Sequence, residues 1–301
     1  MPDPSPSVTV VITTRNRSTD LARALESTLN QDVSMEVLVI DDGSTDGTAN
    51  MVRERFPSVR LERSDVSHGL IVQRNRAAHL ATGEILVSID DDAVFTSPHT
   101  VGQTVREFSD SRIGAVAIPF RNADREQVLQ RAPDPEQIWI TDRFIGTAHA
   151  LRRDVFLRCG GYRDFFVHQG EEGDFCLRML NEGFFVRLGS ADPIHHLESP
   201  RRSFDRMDFY GRRNDILFAS LNVPWPWLVP HLAATTLNGL ATARHVGRYR
   251  QMLLGLAHGY RDAMKLPTQR KPVSPKIYRL SRLLKKQGAM PFAQIAPLLS
   301  A

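Results

Sequence analysis

The chain has 301 residues, enough for a full hydrophobic core in one large domain or two modest ones. An apolar share of 42% and a charged share of 24% are ordinary for a globular protein and exclude a disordered chain. The two cysteines, Cys159 and Cys176, exclude a disulfide framework and predict a reducing compartment, the cytoplasm.

The formal net charge of +4 is unevenly distributed along the chain. Residues 244–301 hold twelve Lys or Arg and one acid, a net charge of +11, which leaves −7 for residues 1–243. A basic C-terminal region predicts contact with an anionic partner, so we expect a peripheral position at the inner face of the membrane. A solvated basic helical face is the alternative. The N-terminal MPDPSPS has no basic or apolar segment, so no signal peptide is predicted.

The first 120 residues alternate between strand and helix patterns. Short apolar, β-branched runs typical of buried strands are followed by segments with apolar residues at helical spacing. This alternation predicts an α/β fold, with a mostly parallel central sheet covered by helices on both faces. Strands are predicted at 8–13, 35–40, 59–63, 84–89 and 113–119, and helices at 18–31, 49–56 and 70–81.

The rest of the chain is less regular. Residues 144–162 read as a strand, a short helix and a glycine turn, and residues 171–183 as a helix with acids in its first turn. From 204 onward the pattern is mainly helical. We therefore predict a body at 1–203, with halves at about 1–120 and 121–203, and a helical, basic C-terminal region at 204–301.

The stretch from Ile216 to Ala243 contains no charged residue. Three prolines and several polar residues interrupt it, whereas a spanning helix needs about 20 predominantly apolar residues. Two tryptophans beside an apolar helix, with many basic residues after it, fit an interfacial segment. A buried helical appendage is the alternative.

Carboxylates follow two of the predicted strands. Asp41 and Asp42 follow the second, and Asp90, Asp91 and Asp92 follow the fourth. Ligands of such sheets bind beyond the carboxyl ends of the strands, so both groups should face one crevice. Three adjacent carboxylates repel each other, and an oxygen-bound Mg²⁺ or Mn²⁺ would relieve that repulsion. This predicts a metal-bridged pyrophosphate; a solvated acidic turn is the alternative.

Six blocks of the sequence, in order, resemble those of the family 2 glycosyltransferases with the GT-A fold. The resemblance covers about residues 8–200 and implies an inverting, nucleotide-sugar-dependent GT-A enzyme with a helical C-terminal extension. It makes residues 1–203 the catalytic domain, with a nucleotide-binding half at about 1–120 and an acceptor half at about 121–203. The blocks are VVITTRNR, VLVIDDGSTDGT, QRNRAAHLATGEILVSIDDD, GTAHALRRDVFLRCGGYRD, EEGDFCLRML and HH.

The resemblance also implies residue roles on the donor side. The loop after the first strand borders base and ribose, Asp41 bonds the base, and Arg74 meets donor phosphate or base. An aspartate accepts only, which favours uracil, thymine or guanine. The implied nucleotide-sugar residues are Thr13, Thr14, Arg15, Arg17, Asp41, Asp42, Arg74, Asp90 and Asp91, and the implied metal ligands are Asp92, Asp90, His196 and His195.

The block EEGDFCLR departs from the family pattern EDxDxxxR, because Glu172 stands where aspartate is usual. A carboxylate there is the general base that removes the acceptor hydroxyl's proton. The extra methylene leaves open whether Glu172 or Glu171 is the base, and Asp174 is expected to orient the helix. The alternative is a set of helix N-terminal acids favoured by the macrodipole.

Of the paired histidines, His196 fits the block's spacing better than His195, and a surface or core histidine is the alternative. Nearby arginines are expected either to close over the diphosphate or an anionic acceptor, or to pair with acids at helical spacing. These arginines are Arg201, Arg202, Arg212 and Arg213.

The expected reaction moves a sugar from a nucleotide-diphospho-sugar to a hydroxyl of a glycan, a lipid-linked or a small-molecule acceptor, with no nucleic-acid partner. One alternative is sugar-phosphate nucleotidyl transfer, which usually needs a glycine-rich loop where TTRNR stands. The other is an inactive sugar-nucleotide-binding protein, which the change at Glu172 leaves open.

Overall fold

A computed structural model of the protein describes residues 6–123, 125–197 and 204–300. The strands are β1 (Val8–Thr14), β2 (Glu36–Asp41), β3 (Arg60–Arg63), β4 (Ile85–Asp90), β5 (Ala93–Phe95), β6 (Ile113–Ala117), β7 (Phe120–Asn122), β8 (Val128–Leu129), β9 (Trp139–Thr141), β10 (Ala148–Arg152), β11 (Phe185–Leu188), β12 (Ile194–His196) and β13 (Met290–Pro291). The α-helices are α1 (Ser18–Leu29), α2 (Thr48–Arg55), α3 (Leu70–Leu80), α4 (Thr100–Arg106), α5 (Arg153–Arg158), α6 (Glu171–Asn181), α7 (Phe204–Asn222), α8 (Leu228–Val246), α9 (Tyr249–Lys265), α10 (Pro275–Gln287) and α11 (Phe292–Ser300).

The central sheet has nine strands in the described part of the chain, in the order β13-β9-β11-β6-β10-β4-β1-β2-β3. Strands β1 to β4 are mutually parallel where they pair, and β10 lies antiparallel between β4 and β6. Strand β9 is likewise antiparallel to both of its neighbours. Every other strand shares one direction, so the mostly parallel sheet is confirmed, with two reversed strands that were not predicted.

Helices cover both faces of this sheet, as predicted. In β1, Val10 and Ile12 pack in one hydrophobic cluster with Leu25 of α1 and Val101 of α4. Val11, which points the opposite way, packs in a second cluster with residues of α3, α5 and α6. Burial on both faces explains why the strands read as continuous apolar runs.

A second, smaller sheet in the described residues was not predicted. It joins its strands in the order β5-β12-β7-β8. His196 of β12 pairs with Ala93 of β5 and with Asn122 of β7. Because Ala93 directly follows the acidic run, this pairing brings His196 to residues 90–92.

The C-terminal helices pack onto the body. Leu177 of α6 and Phe185 of β11 share a hydrophobic cluster with Ile277 and Leu284 of α10. The long uncharged stretch is divided between α7 and α8. Among the helices described, none combines the length and the apolar character that crossing a bilayer requires.

Candidate active site

Each carboxylate of the acidic run meets a cationic side chain. Asp90 ends β4, and its Oδ1 accepts from Arg74 Nη2 at 2.8 Å. Arg17 Nη1 donates to Asp91 Oδ1 at 2.9 Å and to Asp92 Oδ2 at 2.8 Å. Two guanidinium groups therefore neutralise much of the repulsion within the run.

Asp91 and Asp92 have opposite pKa shifts. Burial raises the pKa of Asp91 to about 7, although Arg17 and a 2.8 Å hydrogen bond from the Thr14 hydroxyl oppose this rise. Burial also acts on Asp92, but the hydrogen bond from His196 and the charge of Arg17 outweigh it and lower its pKa to about 2. Asp92 is therefore ionised at neutral pH.

Asp90, Asp92 and His196 form a group that fits a divalent cation. Their ligand atoms all lie within 4.8 Å of one another. His196 Nδ1 is 3.1 Å from Asn122 Oδ1, and an amide oxygen only accepts, so Nδ1 carries the hydrogen. Nε2 lies 3.3 Å from Asp92 Oδ1. In the protonated ring Nε2 donates to that oxygen, whereas in the neutral ring it carries no hydrogen and can bind a metal. A tautomer fixed through the other ring nitrogen is a common support of metal-binding histidines.

The predicted ligand His195 is not part of this group. It precedes His196 on strand β12, and successive side chains of a strand point to opposite faces. The structure therefore brings one of the paired histidines to the acidic run, and it is the one that the spacing favoured.

Arg74 connects the acidic run to the carboxylates of α6. It bonds Asp90 and the Gly146 carbonyl, the latter at 2.9 Å, and its Nη1 lies 3.9 Å from Glu171 Oε1. A Cβ added to Gly146 would lie 2.4 Å from Glu172 Oε1 and 2.8 Å from Arg74 Nη1. Gly146 therefore leaves the space in which Glu172 and Arg74 approach each other.

The two glutamates differ in access to solvent. The Glu171 side chain is 3% exposed, and its Oε2 has no hydrogen-bond partner among the described residues, whereas Glu172 is half-buried. Burial raises the pKa of both carboxyl groups, and the charge of Arg74 opposes this rise. A raised pKa suits a base that works near neutral pH, because the proton transfer is then better matched.

Asp174 has a different role from its two neighbours. It is fully buried and accepts from Arg163 at 2.8 Å, Arg178 at 2.9 Å and Asn222 at 2.7 Å. These bonds connect the first turn of α6 to the loop that follows α5 and to α7. They therefore hold the part of the helix that carries Glu171 and Glu172 in a fixed position.

Residues 9–167 match the family described as Glycosyl transferase family 2. The chain belongs to this family. It is 30% identical over 240 residues to the succinoglycan biosynthesis protein ExoU of Rhizobium meliloti (strain 1021), which covers 71% of this chain and 70% of that protein. It is 35% identical over 126 residues to a chondroitin synthase of Escherichia coli, which covers 40% of this chain but 18% of that longer protein. The chain likewise matches only 30% of the length of the uncharacterized glycosyltransferase YibD of Escherichia coli (strain K12).

Solved structures of glycosyltransferases share the fold and confirm the predicted GT-A architecture. The mannosyltransferase PcManGT of Pyrobaculum calidifontis, in complex with GDP-Man and Mn²⁺, has a TM-score of 0.60 at 22% identity and covers 86% of each chain. TarS 1–349 of S. aureus, in complex with UDP-GlcNAc, has a TM-score of 0.63 at 16% identity and covers 93% of this chain and 87% of that one.

The residues predicted to bind the donor lie along the carboxyl edge of the sheet. Thr13 is buried and in register with Asp90 of β4, whereas Arg15 is exposed in the loop that follows. Asp41 is fully buried; its Oδ1 accepts from Ser44 N at 2.9 Å, and its Oδ2 has no hydrogen-bond donor in the described part of the chain. An ion-pair contact places Arg63 Nε 3.4 Å from that Oδ2.

Asp42 makes its contacts within the protein. Its carboxylate accepts from Ser67 Oγ, His68 N, Gly69 N and Gln73 Nε2, at 2.6 to 3.0 Å. These four bonds hold the loop that begins α3, the helix that carries Arg74. Asp42 is therefore bonded to the residues that lead into the helix of Arg74 and to Gln73 within it.

The arginines after the paired histidines are partly accounted for. Arg212 pairs with Asp215 at 3.1 Å, which is the helical spacing anticipated, and Arg213 pairs with Asp262 at 2.8 Å. Arg201 and Arg202 lie outside the described residues.

Proposed function

We propose that the protein is an inverting glycosyltransferase that moves a sugar from a nucleotide-diphospho-sugar to an acceptor hydroxyl. The observation that supports this most is the position of Arg74. It touches Asp90 of the acidic run at 2.8 Å and lies beside Glu171 and Glu172. The Arg74 side chain therefore spans the distance between a possible diphosphate site at the acidic run and a possible carboxylate base on α6.

The nucleotide would lie along the carboxyl edge of β1, β2 and β4. Thr13, Thr14, Arg15 and Arg17 would border base and ribose, and the Oδ2 of Asp41 is an acceptor suited to a base N–H. Glycosyltransferases of the same fold have been solved with GDP-Man and with UDP-GlcNAc, and both bases offer such an N–H. Asp42 would position the helix of Arg74 rather than touch the nucleotide.

Asp90, Asp92 and His196 would hold Mn²⁺ or Mg²⁺, with two oxygens and one nitrogen as ligands. The ion would supply Lewis-acid stabilisation of the negative charge that the departing diphosphate develops. Arg17 and Arg74 add fixed positive charge at the same place, and preorganised charge of this kind lowers the barrier without reorganisation.

Glu172 would act as the general base. It is the more accessible of the two glutamates, and its carboxylate would take the proton of the acceptor hydroxyl as that oxygen attacks the anomeric carbon. Attack from the face opposite the leaving nucleoside diphosphate inverts the anomeric configuration. Glu171 would remain buried and keep Glu172 and Arg74 in place.

We also propose a peripheral membrane position for the C-terminal region. Residues 244–301 carry a net charge of +11, and α8 and the segment before it expose apolar side chains, among them Trp225, Val229 and Leu237. Basic and apolar residues on one exposed region suit an anionic lipid surface.

Product analysis tests the proposed reaction. Nucleotide sugars with Mn²⁺ are first screened by thermal shift, and the donor found is then supplied with candidate acceptors. We expect release of a nucleoside diphosphate and an inverted linkage. Glu172→Gln should lower kcat by about 10²–10⁴-fold with the donor still bound, because general-base catalysis contributes about that factor.

Glu182→Gln, at the exposed far end of α6, is the matched control and should retain activity. In a parallel assay with a nucleoside triphosphate and a sugar 1-phosphate, release of pyrophosphate would instead identify a nucleotidyltransferase. Undiminished turnover in both Asp92→Ala and Glu172→Gln would show that this site is wrong, and donor binding without any turnover would indicate an inactive binder.

A further inference from the structure

A cavity of about 450 Å³ lies between the first turn of α6 and helices α7, α8 and α10. Gly170 and Gly173 line it, and in sequence they flank the pair Glu171 and Glu172. The described residues that line it include neither the acidic run nor the loop after β1. Arg143 of the lining also acts through its charge on Glu172, so the cavity lies near the proposed base, although Glu172 does not itself line it. The cavity is separate from the proposed donor residues.

Four cationic side chains line this cavity, against two carboxylates. Arg143 and Arg212 are each paired with a carboxylate of the lining, at 2.9 and 3.1 Å. Arg282 and Lys285 of α10 have no carboxylate within 4.0 Å among the residues described. With His231 neutral, the lining has an excess of two positive charges.

Desolvation and the positive charge of the lining together lower the pKa values of Lys285 and His231. Lys285 is exposed at the mouth of the cavity, but partial desolvation by its neighbours lowers its pKa, and the charges of Arg143 and Arg282 lower it further against the opposing charge of Asp142. Burial, followed by the charges of Arg282 and Lys285, lowers the pKa of His231 to about 4. An anion between these side chains would relieve the repulsion that both shifts reflect.

Aromatic side chains form another part of the wall. The rings of Trp227 and Tyr278 are 5.7 Å apart and tilted by 39°. Trp227 is half-buried, so part of its ring remains free to contact a ligand. Such a ring offers an apolar surface with a polar edge, which suits a sugar.

We propose that this cavity is the acceptor site and that it takes a sugar carrying a phosphate or diphosphate group, an inference that rests on the proposed glycosyl transfer. A phosphate monoester carries −1.5 to −2 charges near pH 7, which matches the excess of two, whereas a carboxylate carries one. Arg282 and Lys285 would bind the phosphate, Trp227 would contact the sugar, and a sugar hydroxyl would face Glu172 across the first turn of α6.

Pyrophosphate binding to the full chain tests the charge assignment. Titration calorimetry in EDTA keeps divalent cations from recruiting the probe to the acidic run. We expect one equivalent to bind. Binding should be about 100-fold weaker in Arg282→Gln/Lys285→Gln, because each of the two lost charge-assisted contacts costs about tenfold. Arg250→Gln/Lys286→Gln, also exposed and outside the cavity, should bind within about twofold of the unmodified chain.

The binding assignment is overturned if the unmodified chain does not bind pyrophosphate or if both double variants bind it equally. Competition then tests the ligand class: a hexose 1-phosphate should displace pyrophosphate, and stronger displacement by a uronic acid would overturn the phosphate assignment. Glycosyl transfer to a soluble hexose phosphate, or to a lipid-linked sugar diphosphate in detergent, identifies which source of the phosphate the protein uses.

Nucleotide binding separates this inference from the proposed function. The thermal shift produced by UDP with Mn²⁺ should be the same in both double variants, because neither touches the donor residues. A chain that binds no nucleotide at all would refute the transferase. Normal nucleotide binding with equal pyrophosphate binding in the two variants would refute the acceptor site alone.

Discussion

Arg17 is shared between two adjacent carboxylates, Asp91 and Asp92, and this sharing sets the charge of the site. Asp91 is buried with a pKa of about 7, whereas Asp92 has a pKa of about 2 and faces His196. These adjacent residues differ in environment because Asp91 accepts a hydrogen bond from Thr14 of β1, whereas Asp92 points toward His196 of β12. The ionised member is the one in the candidate metal group.

Cooperation between metal and nucleotide tests that group. Mn²⁺ and UDP together should raise the melting temperature by more than the sum of their separate shifts. A bridging ion gains phosphate ligands when UDP is bound, and UDP gains an ion contact when Mn²⁺ is bound. Saturation at 100 times Kd stabilises a fold by about 2.7 kcal/mol, or a few degrees. Differential scanning fluorimetry measures the shift, and Asp92→Asn should abolish the cooperation.

Asp65, an exposed residue outside the candidate metal group, provides a control, because Asp65→Asn removes one negative charge and leaves Asp90, Asp92 and His196 unchanged. That variant should keep the cooperative shift. Strictly additive shifts in the unmodified chain would contradict a bridging ion.

The raised pKa of Glu172 predicts a pH dependence. A base acts only when deprotonated, so kcat/KM should rise with pH through that pKa, above the usual glutamate value of about 4.3. Glu172→Gln should remove this limb from the profile and leave a low, flat residual rate. A profile already at its plateau at pH 4.5, or the same limb in the variant, would exclude Glu172 as the titrating base.

At the scale of elements, the loop between β3 and α3 depends on one buried carboxylate. Asp42 accepts four hydrogen bonds there, and although burial opposes it, the bonds from Ser67 and Gln73 hold its pKa below the usual value. Stabilisation by a group with a lowered folded pKa is complete above its unfolded pKa and is lost as the pH falls toward the folded pKa. The loop should therefore loosen in acid.

Asp42→Ala should lower the free energy of unfolding by about 2–4 kcal/mol, because it removes four hydrogen bonds to a charged acceptor, one of them from the buried Gln73 amide. Urea denaturation at pH 7 measures the change, and the difference from the unmodified chain should shrink below pH 4. Asp65→Ala, on the exposed part of the same loop, should stay within about 0.5 kcal/mol. Equal losses in the two variants would contradict the role given to Asp42.

The sequence predicted most elements of the body, because apolar runs and helical spacing are local signals. It did not predict that β10 is reversed, since a strand buried on both faces has the same composition in either direction. The second sheet was missed because its strands have two or three residues, too few to show a period.

The candidate site could likewise be predicted only in part, where its residues follow directly from local sequence patterns. The ends of β2 and β4 placed Asp41 and Asp90, whereas the contacts of Gly146 with Arg74 and Glu172 join residues far apart in the chain. The GTAHA segment carried the signal, a glycine before a buried strand, but its role depends on side chains brought there by folding.

At the scale of the whole molecule, residues 244–301 carry a net charge of +11 and residues 1–243 a net charge of −7. This uneven distribution predicts salt-dependent membrane binding through the C-terminal region. Anionic vesicles should bind the protein, and each basic side chain near the surface contributes about 1 kcal/mol at low salt. Arg244→Gln/Arg250→Gln, in the C-terminal region, should weaken co-sedimentation, whereas Arg23→Gln/Arg53→Gln, in the acidic body, should not. Equal binding to neutral vesicles, or indifference to 0.5 M salt, would contradict the proposal.

Strand β10 runs against its neighbours, so its first residues, not its last, meet the ends of β1 and β4. The chain reaches the candidate site there from residues 142–147, the connection between β9 and β10. Insertions or deletions in that segment would leave every hydrogen-bonded register of the nucleotide half unchanged. In the proposed transferase, such changes would reshape the wall of the acceptor cavity at Asp142 and Arg143, while the strands that carry the proposed donor residues would keep their register.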